Sequence, residues 1–141
     1  PRRDEPELDG HGHVKIRPLS QLEDFKISAG RDPRGLAVVS GDKVVVGRVV
    51  DMLVDVPESL VRFLVMDLNP EGNGQHRIIP INMCRIKSDR VAVRSLYAHN
   101  FEGIPQPKSA DQITLLEEEK IMAWYAGGTL FADPARRATQ L

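Results

Sequence analysis

A chain of 141 residues, 41% hydrophobic and 28% charged, holds enough apolar material for one domain with a core and too little for two. Its formal charge of −1 excludes a globally basic nucleic-acid binder, and no apolar run approaches the ~20 residues of a membrane-spanning helix. The one cysteine, Cys84, cannot form an internal disulfide and points to a reducing compartment.

Residues 1–12, PRRDEPELDGHG, combine two prolines and mixed charges with almost no apolar side chains. They read as an extended arm outside the core. The arm leads into Asp9, His11 and His13. On an extended chain, histidines at i and i+2 point the same way, with the aspartate two residues earlier again. As a structural zinc site this set falls short of four ligands, and the competing reading is a solvated polar tail. Residues 14–18 alternate as a short strand ended by Pro18. Residues 19–35 read as loop, anchored by Phe25 and Ile27, with a turn at Asp32, Pro33, Arg34 and Gly35. A strand over 36–40, a hairpin turn at 40–43 and a strand over 44–54 follow. Gly47 inside that strand signals a bulge or sharp coiling.

The stretch 44–68 organises the rest. Val44, Val46, Val49 and Leu53 belong to a β-branched run, Asp55, Val56, Pro57 and Glu58 form an acidic turn, and 62–68 alternates to give one buried face. Residues 69–74 carry the strongest turn signal. Strands are predicted over 75–79, 81–86 and 90–95, giving about six short strands, the pattern of a small β-barrel or folded sheet. Residues 101–108 form a linker. Thr114 and Glu117 fit a capping box opening a helix that Gly127 and Gly128 stop. Glu117, Glu118 and Glu119 read primarily as a solvated first turn suited to the helix dipole, with a cation or partner contact as the alternative. Residues 129–141 read as a docked tail that becomes loose. The expected fold is mainly β with one C-terminal helix, organised as arm and loop (1–35), barrel (36–100), then linker, helix and tail (101–141).

No nucleophile motif, phosphate loop or paired-cysteine metal site is present. Cys84 reads as core, Trp124 and Tyr125 as packed on the sheet, and His76 and His99 as surface residues. Two charged sets remain. Asp9, His11 and His13 can collect protons, because histidine titrates near neutrality beside a carboxylate. Asp55, Glu58 and Arg62 read first as a structural ion pair at a turn. Buried against another protein, Glu58 would be raised by desolvation and lowered by Arg62, a balance that lets a carboxylate relay protons.

Residues 38–55, with Gly41, Asp42, Gly47, Val49, Asp51 and Asp55 in place, resemble the PRC-barrel pattern. That superfamily includes ribosome maturation factors and the H subunit of purple-bacterial photosynthetic reaction centres. Segments beyond the barrel resemble the H subunit: Leu8 to His13 with Lys15 and Ile16; Ser28, Ala29 and Gly30; Val54, Asp55, Pro57 and Glu58; Arg62, Phe63 and Leu64; Gly103, Ile104 and Pro105; and 114–128. The chain departs from that pattern at Val65, Met66 and Asp67, where many relatives carry glutamates. It also departs in lacking the family's membrane helix and the segment after it. It is therefore read as a fragment, a processed product or one piece of a divided subunit.

The resemblance implies a small PRC-type barrel with an extended N-terminal arm, serving as an accessory subunit that does no redox chemistry. It implies a place at the cytoplasmic face of the photosynthetic inner membrane, over the L and M subunits, with light-harvesting subunits nearby; if the subunit is divided, a separate chain carries the membrane helix. Bacteriochlorophyll, bacteriopheophytin, quinones and iron belong to the partner subunits; none is expected on this chain, and no nucleic acid. Asp9, His11 and His13 match the family's proton-entry group, where divalent transition metals bind and inhibit. Asp55, Glu58 and Arg62 match its interior charged group near the secondary quinone. The alternatives are an RNA-associated barrel resembling the ribosome maturation factors, which predicts a basic face with exposed aromatics, and a purely structural cap.

Overall fold

The β-branched run of the sequence becomes the longest strand of a single seven-stranded sheet. The computed structural model describes residues 3–23, 25, 31–69, 71, 74–109 and 111–131, the last three as backbone only. The strands are β1 (Ile16–Pro18), β2 (Ala37–Val39), β3 (Val45–Asp55), β4 (Leu60–Asp67), β5 (His76–Pro80), β6 (Arg85–Ile86) and β7 (Arg90–Ala92), followed by helix α1 (Leu115–Phe131). Their order is β5-β4-β3-β2-β7-β6, with β1 also on β3. One edge of β3 is thus shared. Its first half pairs with β2 (Ala37↔Arg48, Val39↔Val45) and its last residues with β1 (Pro18↔Leu53, Ile16↔Asp55). Only β2 and β7 run parallel.

The register shift between Val38 and Val39 skips Val46, so the bulge lies beside Gly47, where the sequence placed it. A Cβ at Gly47 would sit 2.1 Å from the Asp67 carbonyl oxygen and 2.6 Å from Met66 Cε. Glycine is there because β4 passes too close for a side chain. Val38, Met52, Leu64, Met66, Ile79, Val91 and Val93 fill the core, and Phe25 packs against it. Ile27, the other expected anchor, lies outside the described residues.

Several expectations change. Strand β4 does not alternate: Phe63 to Asp67 are all buried, because the curled sheet has both faces covered at its centre. Residues 81–83 form a short 3-10 turn, leaving only Arg85–Ile86 as strand. Helix α1 runs through Gly127 and Gly128. A Cβ at Gly128 would lie 2.4 Å from Leu96 Cδ2 and 2.6 Å from the Ser95 carbonyl oxygen, so that glycine admits a close crossing and does not end the helix. Tyr125 is fully buried and donates its hydroxyl to the Ile78 carbonyl of β5 at 2.8 Å. Trp124 packs instead over Gly103 and donates its indole N–H to the Asn100 carbonyl.

The start of α1 is tied down from two sides. The Glu117 amide donates to Thr114 Oγ1 (3.1 Å) and the Thr114 amide to Glu117 Oε1 (2.9 Å), the reciprocal capping box. The Leu115 and Leu116 amides, unpaired in any isolated helix, donate to the Glu5 and Arg3 carbonyls of the N-terminal arm. The arm is therefore bonded structure, while Arg3, Asp4, Glu5 and residues 10–13 stay exposed to solvent. Glu117 and Glu118 are 9% and 5% exposed, so of the acidic run only Glu119 faces solvent as expected. Replacing Thr114 with alanine is expected to cost about 1–2 kcal/mol, read as a lower melting temperature by circular dichroism.

Candidate functional site

The site grows from the hairpin joining β3 and β4. Asp55 ends β3, and the loop over 56–59 closes through the Ser59 amide on the Val56 carbonyl (3.3 Å), with Ser59 at φ 54°. Asp55 Oδ1 accepts the Glu58 amide at 3.1 Å, a turn-capping role to which short carboxylates are suited. The Asp55 residue is 1% exposed, so its charge requires partners.

Two cations supply them. Pairing of Ile16 with Asp55, extended by the Val56 amide on the Lys15 carbonyl (3.0 Å), lays Lys15 beside the hairpin. Lys15 Nζ stands 3.4 Å from Asp55 Oδ2 and 3.2 Å from Glu7 Oε1. Glu7 and Asp55 together raise the Lys15 ammonium above its ordinary value, against a smaller loss from desolvation. From the other side, β4 carries a bulge. Leu53 pairs with Phe63 and Val54 with Val61, leaving Arg62 as the extra residue. A bulge re-aims a side chain, and Arg62 reaches Asp55 Oδ2 with Nη1 (3.5 Å) and Glu118 Oε1 with Nη2 (3.7 Å). The result is a file of alternating charge: Glu7, Lys15, Asp55, Arg62, Glu118. Its inner end opens on a cleft of about 610 Å³ lined by Arg62, Phe63, Pro80, Ile81, Glu118 and Met122, among others.

Its outer end lies at the Asp9 loop. Residues 8 and 14 form an isolated bridge, and the Lys15 amide donates to the Glu7 carbonyl at 2.9 Å, so the arm doubles back on itself. At the tip, Asp9 Oδ1 accepts the His11 and His13 amides at 2.8 and 2.9 Å, and Gly12 takes φ 81°. The tip is a tight turn, not the extended run read from sequence. The amide bonds, from His13 first and His11 next, hold the Asp9 carboxyl below its usual range. His13 Nδ1 lies 3.7 Å from Asp9 Oδ2, with the His13 side chain 79% exposed. The two imidazole centroids are 6.4 Å apart. Among the described residues no three His, Cys, Asp or Glu side chains converge as a ready-made metal site, and two of the turn's own amides occupy Asp9 Oδ1.

The structure thus brings Asp55 and Arg62 into contact and sets the Asp9, His11 and His13 turn two residues from Lys15. Glu58 differs. Its amide is tied to Asp55, but Pro57 and Glu58 are exposed at the hairpin tip. Glu7 and Lys15 are the members that sequence reasoning missed, and Glu118 enters the sequence reading only as part of an acidic run with a cation contact as its alternative. A lysine inside the alternating run 14–18 was the one local hint. Cys84 is no part of the site: burial pushes its thiol up to about 12, and Sγ contacts the Ile81 carbonyl at 3.5 Å.

Comparison with known families adds one finding. The model of the PRC-barrel domain matches residues 25–100, which carry β2 to β7 and the whole Asp55–Arg62 hairpin. With more than half of its length inside that match and a curled, mainly β sheet beneath one C-terminal helix, the chain belongs to the PRC-barrel domain family.

Proposed function

We propose that this PRC-barrel chain is an accessory, non-catalytic part of a photosynthetic reaction centre. It caps the quinone-bearing membrane subunits and carries protons toward the secondary quinone. The observation that carries this reading is the file Glu7–Lys15–Asp55–Arg62–Glu118, wet at the Asp9 turn and buried at Asp55 and Glu118. A cap that only filled space would gain more from apolar residues, because a buried ion pair seldom stabilises a fold beyond a hydrophobic replacement. Exposed Leu8 and Leu60, 54% and 55% accessible, fit a surface that a partner covers beside Pro57 and Glu58. The pigments, iron and quinones belong to the membrane partners; this chain supplies position, water exclusion and proton traffic. No helix among the described residues is long and apolar enough to cross a membrane, so in this reading attachment comes through those partners. An RNA-associated role needs exposed aromatics for stacking, and Trp124 on α1 is the one large aromatic exposed among the described residues.

The test is the double variant His11→Ala/His13→Ala in the assembled complex. Proton uptake on quinone reduction is expected to slow about tenfold at low buffer concentration and to recover with added imidazole, as for loss of a general acid. Uptake equal to wild type at every buffer concentration would remove the entry role.

A further inference from the structure

The far end of the sheet carries a different chemistry. Arg85 pairs with Ala92 and Ile86 with Val91, and the Lys87 amide closes the hairpin on the Arg90 carbonyl at 2.8 Å. Side chains opposite one another across a ladder share a face, and alternate residues share it along a strand. Arg85, Lys87, Arg90 and Arg94 therefore lie on one face, while Val91 and Val93 enter the core at 0% exposure. Parallel pairing of β2 with β7 (Val39↔Ala92) brings the next turn alongside, and the Gly41 amide donates to the Leu96 carbonyl at 2.7 Å. That turn carries Lys43 at φ 67°. Repulsion by Arg90, some desolvation, and repulsion by Lys43, Arg85 and Arg94 lower the Lys87 ammonium. The five cations therefore act on one neighbourhood.

Two acids accompany them. Asp89 pairs with Arg90 at 2.7 Å, and Asp42 is held by Ser40 and the Ala98 amide. The balance is strongly positive on a chain whose total is −1. A second observation gives the partner its chemistry: Val45, which the pairs Val39↔Val45 and Val39↔Ala92 put on the same face as the arginines, is 58% exposed. Cations beside an exposed valine fit a surface that is anionic and then apolar with depth. RNA would instead need aromatic stacking platforms, and the exposed Trp124 sits on α1.

We propose that the face built by Lys43, Arg85, Lys87, Arg90 and Arg94, with Val45, docks on an anionic lipid bilayer. The cations sit over headgroup phosphates and the valine enters the interface. This face lies at the start of β3 and Asp55 at its end, about 30 Å along the strand. Lipid contact and the charged file are therefore independent, and either survives the failure of the other.

The experiment is co-sedimentation of the full chain with phosphatidylcholine vesicles, plain or containing about one third phosphatidylglycerol. Binding to the anionic vesicles alone is expected, weakening as salt rises. Arg85→Gln with Lys87→Gln is expected to lower affinity about 30-fold. Arg85→Lys with Lys87→Arg keeps the charge and should keep the binding. Val45→Ser should lose about tenfold without changing the salt slope. Arg17→Gln on β1 should change nothing. Equal binding to neutral vesicles, or full binding by the glutamine pair, overturns the proposal. Tighter binding to a single-stranded RNA, indifferent to the valine change, overturns it in favour of a nucleic-acid surface.

Discussion

Replacing Asp55 with alanine is expected to lower stability by about 3 kcal/mol, or roughly 10 °C in melting temperature. The effect is large because one 1%-exposed carboxylate meets three demands: the Glu58 amide, the Lys15 ammonium and the Arg62 guanidinium. Its loss leaves two cations facing each other across the hairpin, with Glu7 and Glu118 at the ends only. Lys15 and Arg62 are 21% and 37% exposed, so water relieves part of the cost and the value stays at the low end for a broken buried pair. Asp55→Asn separates the contributions, since the amide oxygen still accepts the Glu58 N–H while the charge is gone. About half of the alanine loss should return. An asparagine variant as stable as wild type in denaturant titration would mean that the file contributes nothing to folding.

The second large effect is expected at Gly47. An alanine there puts its Cβ 2.1 Å from a backbone oxygen, Asp67 O, which no rotamer change can move. Strands β3 and β4 must separate at the pair Arg48↔Asp67, next to the bulge that coils the sheet. A cost of about 4 kcal/mol is expected, near the upper end for one substitution. Valine should be worse. Denaturant midpoints report it directly, and an alanine variant with the wild-type midpoint would show that the strands do not approach so closely.

What the sequence made legible was local. Strand-forming composition, the turn at 55–58, the bulge glycine and the capping box at Thr114 each depend on neighbours in the chain, and each is present. What it hid was set by register. Lys15 enters the site only because β1 pairs at the end of β3, a contact between positions 39 apart along the chain (Ile16↔Asp55). Arg62 turns inward because of a bulge that no local residue announces. Glu118 sits in a run that reads as a solvated helix start, and it is buried on the side of α1 that meets Arg62, Phe63 and Pro80 of β4 and β5. Gly127 and Gly128 fit a helix stop equally well as a close crossing, and only Leu96 and Ser95 decide between them.

Glu58 offers the most direct test of proton conduction, because its exposed side chain can be neutralised without disturbing the core. Its amide ties its backbone to Asp55, so on the proposed reading its carboxylate is the nearest exposed acid to the buried middle of the file along the hairpin. The decisive measurement is the rate of the second, proton-coupled electron transfer to the secondary quinone in complexes carrying Glu58→Gln. A slowing of about tenfold or more is predicted, with the first electron transfer and the amount of assembled complex unchanged. Two unchanged rates in a fully assembled complex would contradict proton conduction and leave only a structural cap.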